Sequence, residues 1–202
     1  GGQFRLDSLN SNSNTVFGQE IFSTENLTFA PSYNIATPPN YVLGPGDEVM
    51  IEVWGESEFR NREKISPEGS ISIQGVGPIS LAGLTVAEAQ QLIAAKISEI
   101  MNGQVRVTLG QIRSIKVNIS GEVRVPGTYT LPSLATLFNA LYSAGGVNNI
   151  GSLRHVKVYR NSKEVADLDV YDYLINGKYE TNIRLEDNDM IIVPPYDNHV
   201  RI

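Results

Sequence analysis

The stretch Tyr41–Val49, YVLGPGDEV, decides how the first folded part of this chain is read. Gly44, Pro45 and Gly46 make a tight turn. Proline presets φ and glycine reaches backbone conformations closed to other residues, while the Asp47 carboxylate is placed to accept from the turn's own amides. A strand leaves the turn at once, because Val49, Ile51 and Val53 fall on one face of residues 48–54, the two-residue period of a half-buried strand.

Working outward, ISPEGSISIQGVGPISLAGLTVAEAQQLIAAKI, Ile65–Ile97, carries further short strands over 63–66 and 70–74, punctuated by Gly69 and Gly77. Gly83-Leu84-Thr85 then opens a helix, with Thr85 as N-cap and Glu88 three residues later as a capping box. Val86, Ala89, Ile93, Ile97 and Ile100 recur at steps of three and four and form one apolar stripe. Asn102-Gly103 stops the helix, and Val105, Val107 and Leu109 share a face of a closing strand, so 41–113 reads as one compact α/β domain.

Residues 114–196 repeat this logic. Ile115, Val117 and Ile119 alternate along a strand; Gly121-Glu122-Val123 leads to a turn at Pro126-Gly127; Ser133 is expected to cap a helix carrying Leu134, Leu137, Phe138 and Leu141. Gly145-Gly146, after Ala144, ends that helix, since glycine at this position takes the left-handed conformation without a Cβ clash. Residues 154–160, 164–170 and 183–193 read as strands, the last closing on LEDNDMIIVP.

The first set of residues, from the PGD turn through Ile65, Pro67, Glu68, Gly69, Ile71, Ile73 and Gly77 to Gly83-Leu84-Thr85, resembles the polysaccharide export domain of bacterial outer-membrane capsule and exopolysaccharide exporters. Glu68 replaces the usual Asp, and the usual leucine-proline pair before the second glycine is altered around Gln74–Val76. The second set, Gly121, Glu122, Val123, Pro126, Gly127, Ala144, Gly145 and Gly146, resembles the SLBB β-grasp module that follows it in the same family. The leader over 26–41 is similar to that of exporters of the Bacteroidetes type. The resemblance implies an α+β fold, an export domain and then a β-grasp domain. It also implies a periplasmic, outer-membrane-associated part of a homo-oligomeric ring that conducts polysaccharide passively, with an inner-membrane co-polymerase as partner and outer-membrane and lipoprotein-anchor segments lying outside this sequence. Asn198–Ile202 looks like the first strand of a further β-grasp unit at 197–202, so the chain is expected to be a piece of a longer exporter, with Gly1-Gly2 a trimmed or added start.

Composition fits this picture without choosing it. The 202 residues are 41% hydrophobic and 19% charged, ordinary for a globular protein, and have room for two small cores. Cysteine is absent, which removes disulfides, thiolate metal sites and cysteine nucleophiles. No apolar run approaches the roughly 18 residues of a membrane helix. Residues 1–40, rich in Ser, Asn and Thr, read as an extended arm that lies along a neighbouring subunit, leads back to the membrane, or is a disordered leader.

Catalytic and metal chemistry find little support, and no cofactor motif is present. His155 and His199 stand in no metal-binding spacing, and His155 alternates with Lys157 and Tyr159 as a surface residue. Asp167, Asp169 and Asp172 lack the glycine and closing glutamate of a calcium loop and read as a solvated strand end. Glu186, Asp187 and Asp189 have the same reading, a solvated turn before a strand. Trp54 is placed to stack on a sugar ring, although its large apolar area makes core packing the ordinary expectation.

Charge excludes nucleic acid. Basic and acidic residues number 1 and 3 in the arm, 6 and 9 over 41–113, and 9 and 10 over 114–202, giving a net −6 without a basic cluster. A ring of such subunits would repel acidic polymers unless its lumen differs from its outside, so the expected cargo is a neutral or zwitterionic glycan. The other reading is a monomeric periplasmic β-grasp module that captures a glycan or a protein.

Overall fold

The computed structural model describes residues 29–33 and 36–196. Most of the expected arm over 1–40, and the expected further unit at 197–202 with His199, lie outside them. The chain divides into two compact units, Tyr33–Ser114 and a second formed by Ile115 onward together with the segment ending at Ser32. Both mix helix and sheet, an α+β fold.

In the first unit, β1 (Glu48–Trp54) is the central strand of an antiparallel sheet, flanked by β2 (Phe59–Lys64) and β5 (Gln104–Leu109). Its alternation is as the sequence demands: Val49, Ile51 and Val53 are buried, with Glu48 opposite Lys64 and Glu52 opposite Arg60 on the other face. A separate hairpin pairs β3 (Ser70–Ile73) with β4 (Gly77–Ser80), burying Ile71, Ile73 and Ile79. Helix α1 (Val86–Ser98) packs on β5 through Ala89, Ile93 and Ile97. Gln90 stitches it there, its amide donating to the Val105 carbonyl at 2.6 Å and its side-chain oxygen accepting from the Val107 amide.

Two boundaries differ from the sequence reading. The strand expected over 63–66 runs instead from Phe59 to Lys64, because β2 follows its register with β1 along Val53↔Phe59 to Glu48↔Lys64. Helix α1 ends at Ser98, short of Asn102, and Ile100 is exposed after it instead of extending the buried stripe.

The second unit has a mixed five-stranded sheet in the order β7-β6-β10-β8-β9. The strands are β6 (Ser114–Gly121), β7 (Gly127–Pro132), β8 (Val156–Arg160), β9 (Lys163–Leu168) and β10 (Met190–Val193). The last strand lies parallel to β6 at the centre, the crossing of a β-grasp fold. Helices α2 (Leu137–Ser143) and α3 (Val170–Asn176) contribute to a core that includes Val117, Ile119, Phe138, Leu141, Val158, Val170 and Ile191. Phe29 joins this core, its ring meeting Phe138 edge to face at 5.2 Å while Phe138 meets Tyr173 at 4.5 Å. The end of the leading segment is thus packed on this unit.

Three expectations for this unit are corrected. Thr136, not Ser133, caps α2: Thr136 Oγ1 accepts from the Asn139 amide and Asn139 Oδ1 accepts from the Thr136 amide, while Ser133 lies in the preceding turn. Asp169 and Asp172 are not a strand end, since Asp169 Oδ1 accepts from the Asp172 amide at 2.9 Å and starts α3, a helix the strand reading of 164–170 overlooked. Residues 183–189 do not continue the last strand, which begins only at Met190.

Candidate functional site

The PGD turn is the centre of the first unit's polar architecture. Gly46 sits at φ 95°, which glycine alone adopts freely, and the Asp47 amide donates to the Gly44 carbonyl at 3.1 Å. The fully buried Asp47 carboxylate accepts from four donors. They are the Gly44 amide at 3.0 Å, the Tyr41 hydroxyl at 2.8 Å, the Arg113 amide at 2.5 Å and Arg113 Nη1 at 2.6 Å. Arg113 also donates to the Tyr41 oxygen at 2.9 Å, with its guanidinium 5.4 Å from that ring's centre. A carboxylate so fully engaged is a structural clamp between the start of β1 and the chain after β5, with no acceptor left for proton transfer.

The second unit contains the same device. The Asp189 amide donates to the Glu186 carbonyl at 3.1 Å, the Glu186 amide donates to Asp189 Oδ2 at 2.8 Å, and Asn188 between them has φ 66°. Arg160 then closes a two-pronged pair, Nε and Nη2 each 2.9 Å from an Asp189 oxygen. These hydrogen bonds, against the cost of partial burial, raise the guanidinium pKa further above its already high value. Asp189 is completely buried, so the reading of it as part of a solvated turn is wrong. The turn closes against the sheet, and the ion pair with β8 takes the carboxylate out of water.

The other motif residues gather around these two centres. In the first unit, the Leu43 amide donates to the Leu84 carbonyl at 2.8 Å and the Gly83 amide to the Leu43 carbonyl at 2.9 Å. The chain at Gly44-Pro45 therefore lies beside the helix start, where Thr85 Oγ1 accepts from the Glu88 amide at 3.3 Å. Gly69 is buried nearby, its carbonyl accepting from the Leu81 and Ala82 amides. In the second unit, the Arg124 and Val125 amides donate to the Gly146 and Ala144 carbonyls, which joins the segment after Gly121 to the Gly145-Gly146 helix end. At Gly121 a Cβ would overlap the Val193 carbonyl oxygen, so β6 and β10 can close only on glycine there. Gly77 lies at the β3–β4 turn and Gly127 at the start of β7, after Pro126, and a Cβ at either glycine would meet nothing within 4 Å.

Trp54 is not core: 45% of it is exposed at the end of β1, because its alternating partners Val49, Ile51 and Val53 take the inner face. It borders an open groove of about 620 Å³ lined by Glu52, Val53, Trp54, Glu58, Phe59 and Arg60. His155 is exposed and lies 3.3 Å from Asp167. Among the described residues no group of three His, Asp or Glu side chains is arranged to hold a metal ion, and no helix is long and apolar enough to cross a membrane.

Sequence reasoning found Asp47 but missed Arg113 and Arg160, the cations that complete the two clamps. Nothing in a local pattern announces them. Arg113 lies 66 positions from Asp47, and Arg160 29 positions from Asp189.

Residues 35–110 match the model of the polysaccharide biosynthesis/export protein family, and residues 115–193 match that of the SLBB domain. The polysialic acid transport protein KpsD of Escherichia coli is 34% identical over 184 residues, covering 89% of this chain and 32% of that protein. The EPS I polysaccharide export outer membrane protein EpsA of Ralstonia nicotianae is 28% identical, over 85% of this chain and 51% of that protein. The capsule polysaccharide export outer membrane protein CtrA of Neisseria meningitidis is 24% identical, over 90% of this chain and 48% of that protein. The chain thus spans about a third to a half of the length of these relatives.

Proposed function

Because this chain belongs to the polysaccharide biosynthesis/export family, with its export domain followed by an SLBB β-grasp domain, we propose that it forms part of the wall of a passive conduit for capsular or extracellular polysaccharide. In this reading the domains are 41–113 and 114–196, the location is periplasmic beneath the outer membrane, and identical subunits close into a ring. Closure by rotation makes each contact heterologous, one face of a subunit meeting a different face of the next. The driving force comes from an inner-membrane synthesis and co-polymerase partner.

The observation that carries this reading is the use of the motif residues. The two buried carboxylates that look most like reactive groups, Asp47 and Asp189, are fully engaged in clamping turns to sheets. What the motifs build is stiffness, which suits a wall segment. A polymer in transit is served by polar walls without deep pockets, because tight binding would stall it.

Deletion of the gene in a strain without a paralogue should abolish surface or secreted polysaccharide while intracellular polymer accumulates. Single cysteines placed on the exposed sheet faces of the full-length protein should cross-link into a closed ladder of multimers. Normal secretion after deletion would end the export reading; a strictly monomeric full-length protein would instead favour the capture module.

A further inference from the structure

The groove at the end of the β1–β2 hairpin has the chemistry of a sugar contact. Trp54 is 45% exposed on the strand face that carries Glu52, and Phe59, partly buried and opposite Val53 in the register, lines the same groove. Around them stand two carboxylates and one guanidinium. Glu52 is ion-paired with Arg60 at 2.9 Å, while Glu58 is exposed and has neither a hydrogen-bond nor an ion-pair partner among the described residues.

We propose that this groove is a stacking contact for a neutral, hydroxyl-rich glycan segment. A pyranose ring has an apolar C–H face that suits the indole and a rim of hydroxyls that both donate and accept. Carboxylates accept from adjacent hydroxyls and the guanidinium donates to a third, so the lining matches that rim. The three ionic groups of the lining sum to one negative charge, and Glu56 on the connecting loop adds another. A sialylated or uronic-acid polymer would meet that charge unfavourably. The groove is also open, so a chain can slide along it.

This contact rests on the export reading, but it is tested apart from it. Trp54 is the single tryptophan of the chain, so its emission reports on the groove alone. Titrating the purified protein with maltohexaose, cellohexaose and mannohexaose should change that emission saturably for at least one of them, with a dissociation constant on the order of 1 mM. The amides of 52–60 should shift in parallel in an NMR titration, and Trp54→Ala, followed by the same shifts, should weaken binding about tenfold. Glu58→Gln, which removes one of the lining charges, should raise the affinity for sialic acid oligomers at low salt.

The proposal is overturned if none of the three moves the emission or the amides by about 20 mM, if Trp54→Ala binds as the parent does, or if sialic acid oligomers bind the parent more tightly. A null titration beside a secretion defect sinks only the groove. Clear binding beside normal secretion sinks only the conduit.

Discussion

Asp47 and Asp189 each close a four-residue turn one position before a strand begins, and each draws an arginine from far along the chain. Neither carboxylate reaches water, so removing one leaves a buried arrangement of donors without its acceptor. Asp47→Ala is expected to lower the stability of its unit by about 3 kcal/mol in urea unfolding, the scale for breaking a buried pair from one side. Arg113→Ala should also destabilise the unit, because it leaves the fully buried Asp47 carboxylate without its cation. Gly121→Ala should cost at least about 2 kcal/mol, because it combines φ 86° with an overlap on the Val193 carbonyl. An unchanged melt in either variant contradicts the clamp or the close approach.

At the scale of elements, α2 and α3 are short helices held by their caps. Asn139 closes the capping box with Thr136 and also donates to the Phe29 carbonyl at 2.7 Å, so the helix start and the end of the leading segment share one residue. Thr136→Ala should destabilise the unit by about 1 kcal/mol. Asn139→Ala should in addition speed proteolysis next to Phe29, read by limited digestion. In α3, the Asp172 carboxyl is held below the ordinary carboxylate value, first by the Asn176 amide and then by Lys178. The sign follows: the folded state favours the charged form, so this contribution is complete above the ordinary carboxylate pKa. It is lost as pH falls through the lowered one. Amide protection in α3, corrected for the pH dependence of intrinsic exchange, should therefore fall at acid pH in the parent more than in Asp172→Asn.

At the scale of the whole molecule, each unit has a core made of its own residues. The second unit's buried cluster contains only residues of that unit, and the first unit buries its own Val49, Ile51, Ile93 and Leu81. A fragment comprising residues 33–114 should therefore give a dispersed NMR spectrum and a cooperative melt by itself; a collapsed, undispersed spectrum would mean that its core is incomplete.

The sequence by itself determined what depends on neighbours a few positions apart. These are the PGD turn, the alternation of β1 and β6, the Thr85 cap, the stripe of α1 and the glycine end of α2, all set by local sterics and hydrophobic period. Tertiary structure decided what depends on distant partners. Arg113 and Arg160 became clamps only when sheets brought them to Asp47 and Asp189. The cap of α2 moved from Ser133 to Thr136 once Leu134 and Ala135 were buried in the preceding turn. Residues 170–176 became helical after Asp169 capped them and Val170 entered the core. Trp54 faces solvent because pairing in the sheet assigned the inner face to Val53. Burial is a property of the assembled sheet, and the period of a strand says that two faces differ without fixing what stands opposite either one.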